Sequence, residues 1–344
     1  MNAITASGPS YGFGRKLLWL IRREWWEHRG SFFTGPVIAG GIFLILTLLM
    51  LIIGQVLFNK NKPLDGAVKI NNLDLAKLDQ NALASPEHLQ SYADAINVSL
   101  LLAGTWPLVI FGFAVFFYLL GALYDERRDR SILLWKSLPL SDTQTVLSKL
   151  VTALLVAPLS ASLVALVTAL GFGLLISLFI LINGGNPLTL FWAHLSPLQL
   201  AGGLFAWIPI YMLWALPTVG WLMLCSAWAR NVPFLWAILL PLLAGIAVSM
   251  FSMLGYSSGG FWYHIVWRLL ASAWPGGHML HYLRTQDGLD LLRPLQDDLS
   301  LLLRIDGPWG GWHLLASPEL WLGAIAGIAM MLIAIRLRRW RSEA

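Results

Sequence analysis

The chain has 344 residues, 57% of them apolar and only 12% charged, with a mean hydropathy of +0.68. A soluble domain carries about twice that charged fraction, so water cannot be its sole solvent. The formal charge of +5 reads as membrane topology and not as nucleic-acid binding, and the single Cys225 excludes both an intrachain disulfide and a thiolate metal cluster.

In chain order, the first element is an amphipathic helix within residues 11–36. Leu17, Leu18, Ile21 and Trp25 fall along one helical face, opposite Lys16, Arg23 and Glu27. Such a helix lies on a membrane surface or serves as a plain basic anchor. It leads through Gly30 and the Gly35-Pro36 break into the first apolar run, residues 37–57. That run begins too late and is too long for a signal-peptide core. Residues 58–99 are polar with mixed charges and predict a small external helical cap.

Further runs long enough to cross a bilayer follow at 100–123, 151–182, 204–227, 232–254 and 318–336, and none has an ionisable residue in its apolar centre. The lack of strand alternation predicts six helices, not a barrel. The third run exceeds the length of one crossing, which predicts tilt, a kink at Pro158 or a turn outside the membrane. In the fourth, Trp207, Trp214, Trp221 and Trp228 recur every seven residues, a stripe that either packs against helices and lipid or lines a path. Pro209 and Pro217 predict bends there. Only Arg230, Asn231 and their neighbours separate the fourth and fifth runs, which reads as a tight helical hairpin. Residues 255–317 are too long for a simple connection, and their aromatic stretch Phe261–Leu270, broken by Trp274-Pro275-Gly276-Gly277, predicts re-entrant or interfacial helices. His278 and His281, with Asp287 and Asp290 nearby, imitate a metal cluster but read more simply as an interfacial helix start. In the last run Gly323 and Gly327 form a GxxxG face for close helix packing.

Charge fixes orientation. Of the 23 Lys and Arg residues, 15 lie before the first run, between the second and third, at Arg230, or in the tail from Arg336. The positive-inside rule therefore places both termini in the cytoplasm.

The most informative segment joins the second and third runs. Tyr124 is followed by six consecutive charges, Asp125, Glu126, Arg127, Arg128, Asp129 and Arg130, then by Ser131 to Leu138 as a short Leu-rich helix carrying Trp135 and Lys136. Pro139 ends that helix, and Ser141 with Gln144 forms a capping box for the next. By charge alone this is a solvated face. The wording, however, resembles the cytoplasmic loop of type-2 ATP-binding-cassette (ABC) exporter permeases, through Glu126, Leu133, Leu134, Ser137, Leu138, Pro139, Ser141, Lys149 and Leu150. Arg130 and Ser131 stand where that family has a Gly-Thr pair.

The resemblance implies a single transmembrane permease domain over residues 1–344, with a coupling helix at 124–139 that docks into a cytoplasmic ATPase subunit present in two copies. The segment 11–36 becomes a connecting helix beside it, with Arg22, Arg23, Trp25 and Glu27 as its contact residues. Asp125, Glu126, Arg127, Arg128, Asp129, Arg130, Trp135 and Lys136 become the coupling residues. It further implies a second permease as partner, homo- or heterodimeric, in the cell (inner) membrane of a bacterium, with ATP and Mg held by the ATPase. No P-loop occurs, since none of the seven lysines follows a glycine, so this chain binds no cofactor of its own. The spans lack ionisable relays, and no HExxH motif occurs, which argues against an enzyme. A nucleotide-independent channel or carrier, or an unrecognised membrane enzyme, is the alternative.

Overall fold

A computed structural model describes residues 12–60, 69–70, 73–74, 86–129, 140–255, 260–279, 281, 299–304 and 306–340. The protein is overwhelmingly helical, and six of its helices are long and apolar enough to cross a membrane. It is a multi-pass membrane protein. A two-residue antiparallel pairing, β1 (Lys69–Ile70) with β2 (Leu73–Asp74), lies between the first two spans.

Helix α1 (Phe13–Arg29) runs through a π-helical turn (Gly30–Thr34) into α2 (Gly35–Lys60), the first span. The second, α3 (Pro86–Gly121), starts well before the apolar run and carries Pro107 inside it. A short helix α4 (Tyr124–Arg128) follows. The third span is α5 (Asp142–Val151), a π turn (Thr152–Val156) and α6 (Ala157–Ile182). The helix continues N-terminal of the apolar run as α5, and the π turn ends two residues before Pro158, where proline withholds a backbone donor. The capping box is present: Ser141 Oγ accepts from the Gln144 amide at 3.2 Å, and the Ser141 amide donates back to Gln144 Oε1 at 3.0 Å.

After the short α7 (Pro187–Leu190), the fourth run is in three pieces, α8 (Pro197–Phe205), α9 (Ile208–Trp214) and α10 (Leu216–Trp228). It therefore begins seven residues before the expected 204, because the apolar stretch is interrupted, not shortened, at Pro209 and Pro217. The breaks also take the tryptophan stripe off a single face. Trp207 and Trp214 are fully buried, Trp221 is half-buried with Nε1 donating to the Ala237 carbonyl at 2.8 Å, and Trp228 is exposed. The fifth span, α11 (Pro233–Met253), follows a turn in which Val232 is left-handed at φ 45°, a strained conformation for a β-branched residue. A π turn (Trp262–Trp267) leads into the four-residue α12 (Arg268–Ala271), and the last span is α13 (Pro318–Trp340).

The spans pack through small residues. A Cβ on Gly104 would fall 3.1 Å from the Ala165 carbonyl oxygen, which brings α3 and α6 backbone to backbone. Between α10 and α13 the approach is closer still: a Cβ on Gly220 would collide with the Gly327 carbonyl, and one on Gly327 with the Leu216 carbonyl. Gly327 thus packs helix against helix, whereas Gly323 makes room for the Arg268 guanidinium and Pro217. The first span is peripheral, with Ile38, Ile42, Ile45, Leu46, Ile52 and Ile53 all exposed as a lipid-facing helix requires.

Candidate functional site

Helix α1, the start of the charged run, α5 and the far end of α13 meet at one end of the bundle. Their meeting point is a chain of six alternating charges. Arg23 lies 3.8 Å from Glu24, Glu24 3.0 Å from Lys149, Lys149 3.1 Å from Glu126, Glu126 2.7 Å from Arg338, and Arg338 3.0 Å from Asp142. Glu24, Lys149, Glu126 and Arg338 are all buried. Three acids face three bases, so the junction is neutral as a whole. The Tyr118 hydroxyl donates to Glu24 Oε2 at 2.9 Å. Glu126 meets both cations as close ion pairs, so Coulombic attraction to Lys149 and Arg338 helps to hold it there. Removing one member leaves an uncompensated buried charge, which makes such a network costly to break from one side.

Burial by itself raises the Glu24 carboxyl, but Lys149 and the Tyr118 hydroxyl outweigh it and hold the group below its ordinary 4.5. With the folded value under the unfolded one, this contribution to stability is complete above pH 4.5 and is lost as pH falls through the folded value. In detergent, thermal unfolding midpoints followed across pH should therefore fall in acid, and Glu24→Gln should flatten that acid limb. An unaltered limb in the variant would show that Glu24 does not carry the dependence.

The charged run is also tied to the fourth span. Ser226 Oγ accepts from the Leu123 and Tyr124 amides, both at 3.0 Å, and Arg127 Nη2 donates to the Ser226 and Ala229 carbonyls at 2.6 and 3.0 Å. Arg127 therefore caps the end of α10, where a cation is favoured. Glu126 points inward. Of the run's described residues, Asp125, Arg128 and Asp129 are exposed. Burial against the cleft wall, with Asp129 adding to it, pushes the Asp125 carboxyl up. Arg130, Trp135 and Lys136 lie outside the described residues.

On α1, Leu20 and Glu24 are buried and Trp25 is half-buried, while Leu18, Trp19 and Trp26 are exposed. Packing against α5 has thus rotated the inward face away from the expected stripe, putting Leu18 outside. Arg22 sits 5.9 Å over the Trp19 ring and Arg29 5.2 Å over Trp26, pairings suited to a membrane surface. Arg23 also bridges to Glu27 at 3.0 Å. Between α1 and the run opens a cleft of about 630 Å³, with Arg23, Glu27, Asp125 and Asp129 on its polar walls and Ile110, Phe113 and Phe117 on its apolar one.

Glu24, Arg338 and Asp142 were not singled out by sequence reasoning, and Lys149 entered only through the loop's wording. A lone Glu inside a basic amphipathic helix was the available signal. As to metals, no three His, Cys, Asp or Glu side chains converge among the described residues. His278 is buried and its Nε2 lies 2.6 Å from the Trp309 carbonyl oxygen, while Asp287 and Asp290 lie outside the described residues.

Comparison with known proteins finds no matching family model, no similar curated protein and no similar solved structure.

Proposed function

We propose that the chain is the permease subunit of an ABC exporter, paired with a second permease and with two copies of a separate ATPase that binds ATP and Mg. The observation that carries this reading is the ion-pair junction. A partner pushing on Asp125, Arg128 and Asp129 would push on spans 1, 2, 3, 4 and 6 together, because α1, α5, α10 and α13 are all fastened there. A solvated connecting loop needs no such fastening, whereas a force-transmitting element does. On this reading the junction end is cytoplasmic, in keeping with the excess of Lys and Arg in the connections and termini on that side, and ATP-driven closure of the ATPase dimer rocks the two permeases between inward and outward openings.

The test is purification from native membranes with the partner retained. The wild type should bring down a P-loop ATPase in stoichiometric amount, and the double reversal Arg128→Glu/Asp129→Lys should lose it without changing the unfolding midpoint. Both positions are exposed and outside the buried chain, unlike Arg127, whose reversal would uncap α10. A wild-type chain that comes out alone and inert towards ATP would make a nucleotide-independent channel or carrier the better account.

A further inference from the structure

At the other end of α13, about 28 Å from Arg338 along the helix axis, lies a second cavity of about 460 Å³ with two distinct ends. Arg268, His264 and Glu319 line one end. From there Glu319, Leu322, Gly323, Ala326 and Met330 continue at helical spacing down one face of α13, a stripe about 16 Å long that is apolar beyond its first residue.

The charged end is not self-satisfied. Arg268 is buried, lies 3.7 Å over the Trp214 ring, and donates long hydrogen bonds of 3.4 and 3.3 Å to the carbonyls of Trp214 and Glu319. Among the described residues no carboxylate lies within ion-pair distance of its guanidinium. The Glu319 carboxylate faces two imidazoles within ion-pair distance. His264 Nδ1 is 3.6 Å away, beyond hydrogen-bond range. His281 Nδ1 lies 3.1 Å from Glu319 Oε2 but only 2.6 Å from the Tyr263 hydroxyl, and the shorter contact takes the ring nitrogen's single bonding position. Oε2 is buried and has no hydrogen-bond donor. A buried cation and a carboxylate thus line one mouth without pairing to each other, at the head of an apolar stripe. Leu322 and Ala326 on that stripe are exposed on the outside of the bundle, so the cavity opens at its surface.

We propose that this cavity binds an amphiphile with a zwitterionic head, a phosphate beside a primary ammonium as in a phosphoethanolamine lipid. The phosphate meets Arg268, the ammonium meets Glu319 and the chain lies along Leu322, Ala326 and Met330. Arg268 supplies the forked donor that phosphate geometry matches. The ammonium supplies the missing donor to Oε2, and the tail replaces bilayer against the α13 stripe. The site stands independently of what docks at the junction.

The experiment is native mass spectrometry of the full chain in detergent, titrated with short-chain phosphatidylethanolamine, phosphatidylglycerol and phosphatidylcholine of one chain length, and with soluble phosphoethanolamine. The wild type should bind phosphatidylethanolamine at least tenfold more tightly than the other three. Arg268→Gln should weaken it at least tenfold. Glu319→Gln should abolish the preference for phosphatidylethanolamine over phosphatidylglycerol. Ala326→Phe, which fills the stripe at an exposed position, should weaken all three lipids. If Arg268→Gln does not fold, the other two variants decide. Equal binding of the three lipids, wild-type behaviour of Glu319→Gln and Ala326→Phe, or soluble phosphoethanolamine binding as tightly as the lipid would each overturn the proposal.

Discussion

Replacing Lys149 with methionine should destabilise the protein by about 3 to 5 kcal/mol, the cost typical of breaking a buried ion pair from one side. Among the described residues Lys149 is the one cation in contact with both Glu24 and Glu126, at 3.0 and 3.1 Å. Without it, Glu24 keeps the half-buried Arg23 at 3.8 Å, His28 at 4.0 Å and the Tyr118 hydroxyl, while Glu126 keeps Arg338. Adding Glu24→Gln to the variant should recover part of the loss, since it removes the charge left uncompensated, and the double-mutant cycle should return coupling of more than about 1 kcal/mol. Equilibrium unfolding in a denaturing detergent measures both quantities. A single-variant loss below about 1 kcal/mol would mean that water reaches the pair and that the junction is not a stiff element.

The second large effect is expected at the crossing of α10 and α13. Gly327→Ala places a methyl group against the Leu216 carbonyl and the Pro217 nitrogen, where the obstacle is backbone and cannot swing aside. Separating the helices should cost about 1 to 3 kcal/mol, as overpacking does elsewhere, and a larger residue should cost more. Gly54→Ala is the control. A Cβ there meets nothing within 4 Å, and alanine favours the helix, so that variant should be neutral or slightly stabilising. Equal effects at the two positions would show that the crossing relaxes more easily than its backbone contacts imply.

Much of the fold was legible because bilayer solvation imposes a one-dimensional rule. An uncharged run of about 20 residues must be a helix, and all six were found. The capping box at Ser141 and the packing role of Gly327 were legible for the same reason, as local or periodic patterns. Pro209 and Pro217 signalled the bends of the fourth span, but its start at Pro197 was not legible, because hydropathy alone does not mark where the backbone begins to coil. The junction was the hardest to see. Glu24 and Lys149 are 125 residues apart, and Glu126 and Arg338 are further apart still, so no spacing rule links them. The six-charge run looked like one surface, yet tertiary contacts divide it into an inward Glu126, a capping Arg127 and an outward Arg128 and Asp129. Chain order carries no trace of that division.

Two of the π turns lie between the ion-pair junction and the membrane, one at Gly30–Thr34 leading into the first span and one at Thr152–Val156 leading into the third. They are near neighbours, since Ser160 Oγ donates to the Phe32 carbonyl at 3.1 Å. A π turn holds one residue more than an α turn. Moving that surplus residue one position along the helix leaves the number of hydrogen bonds unchanged, while the chain it passes over turns by about 100° and advances about 1.5 Å. The two turns therefore give the joint between junction and spans a screw motion that an unbroken α-helix lacks. Its signature would be faster amide hydrogen exchange at residues 30–34 and 152–156 than in the helices on either side.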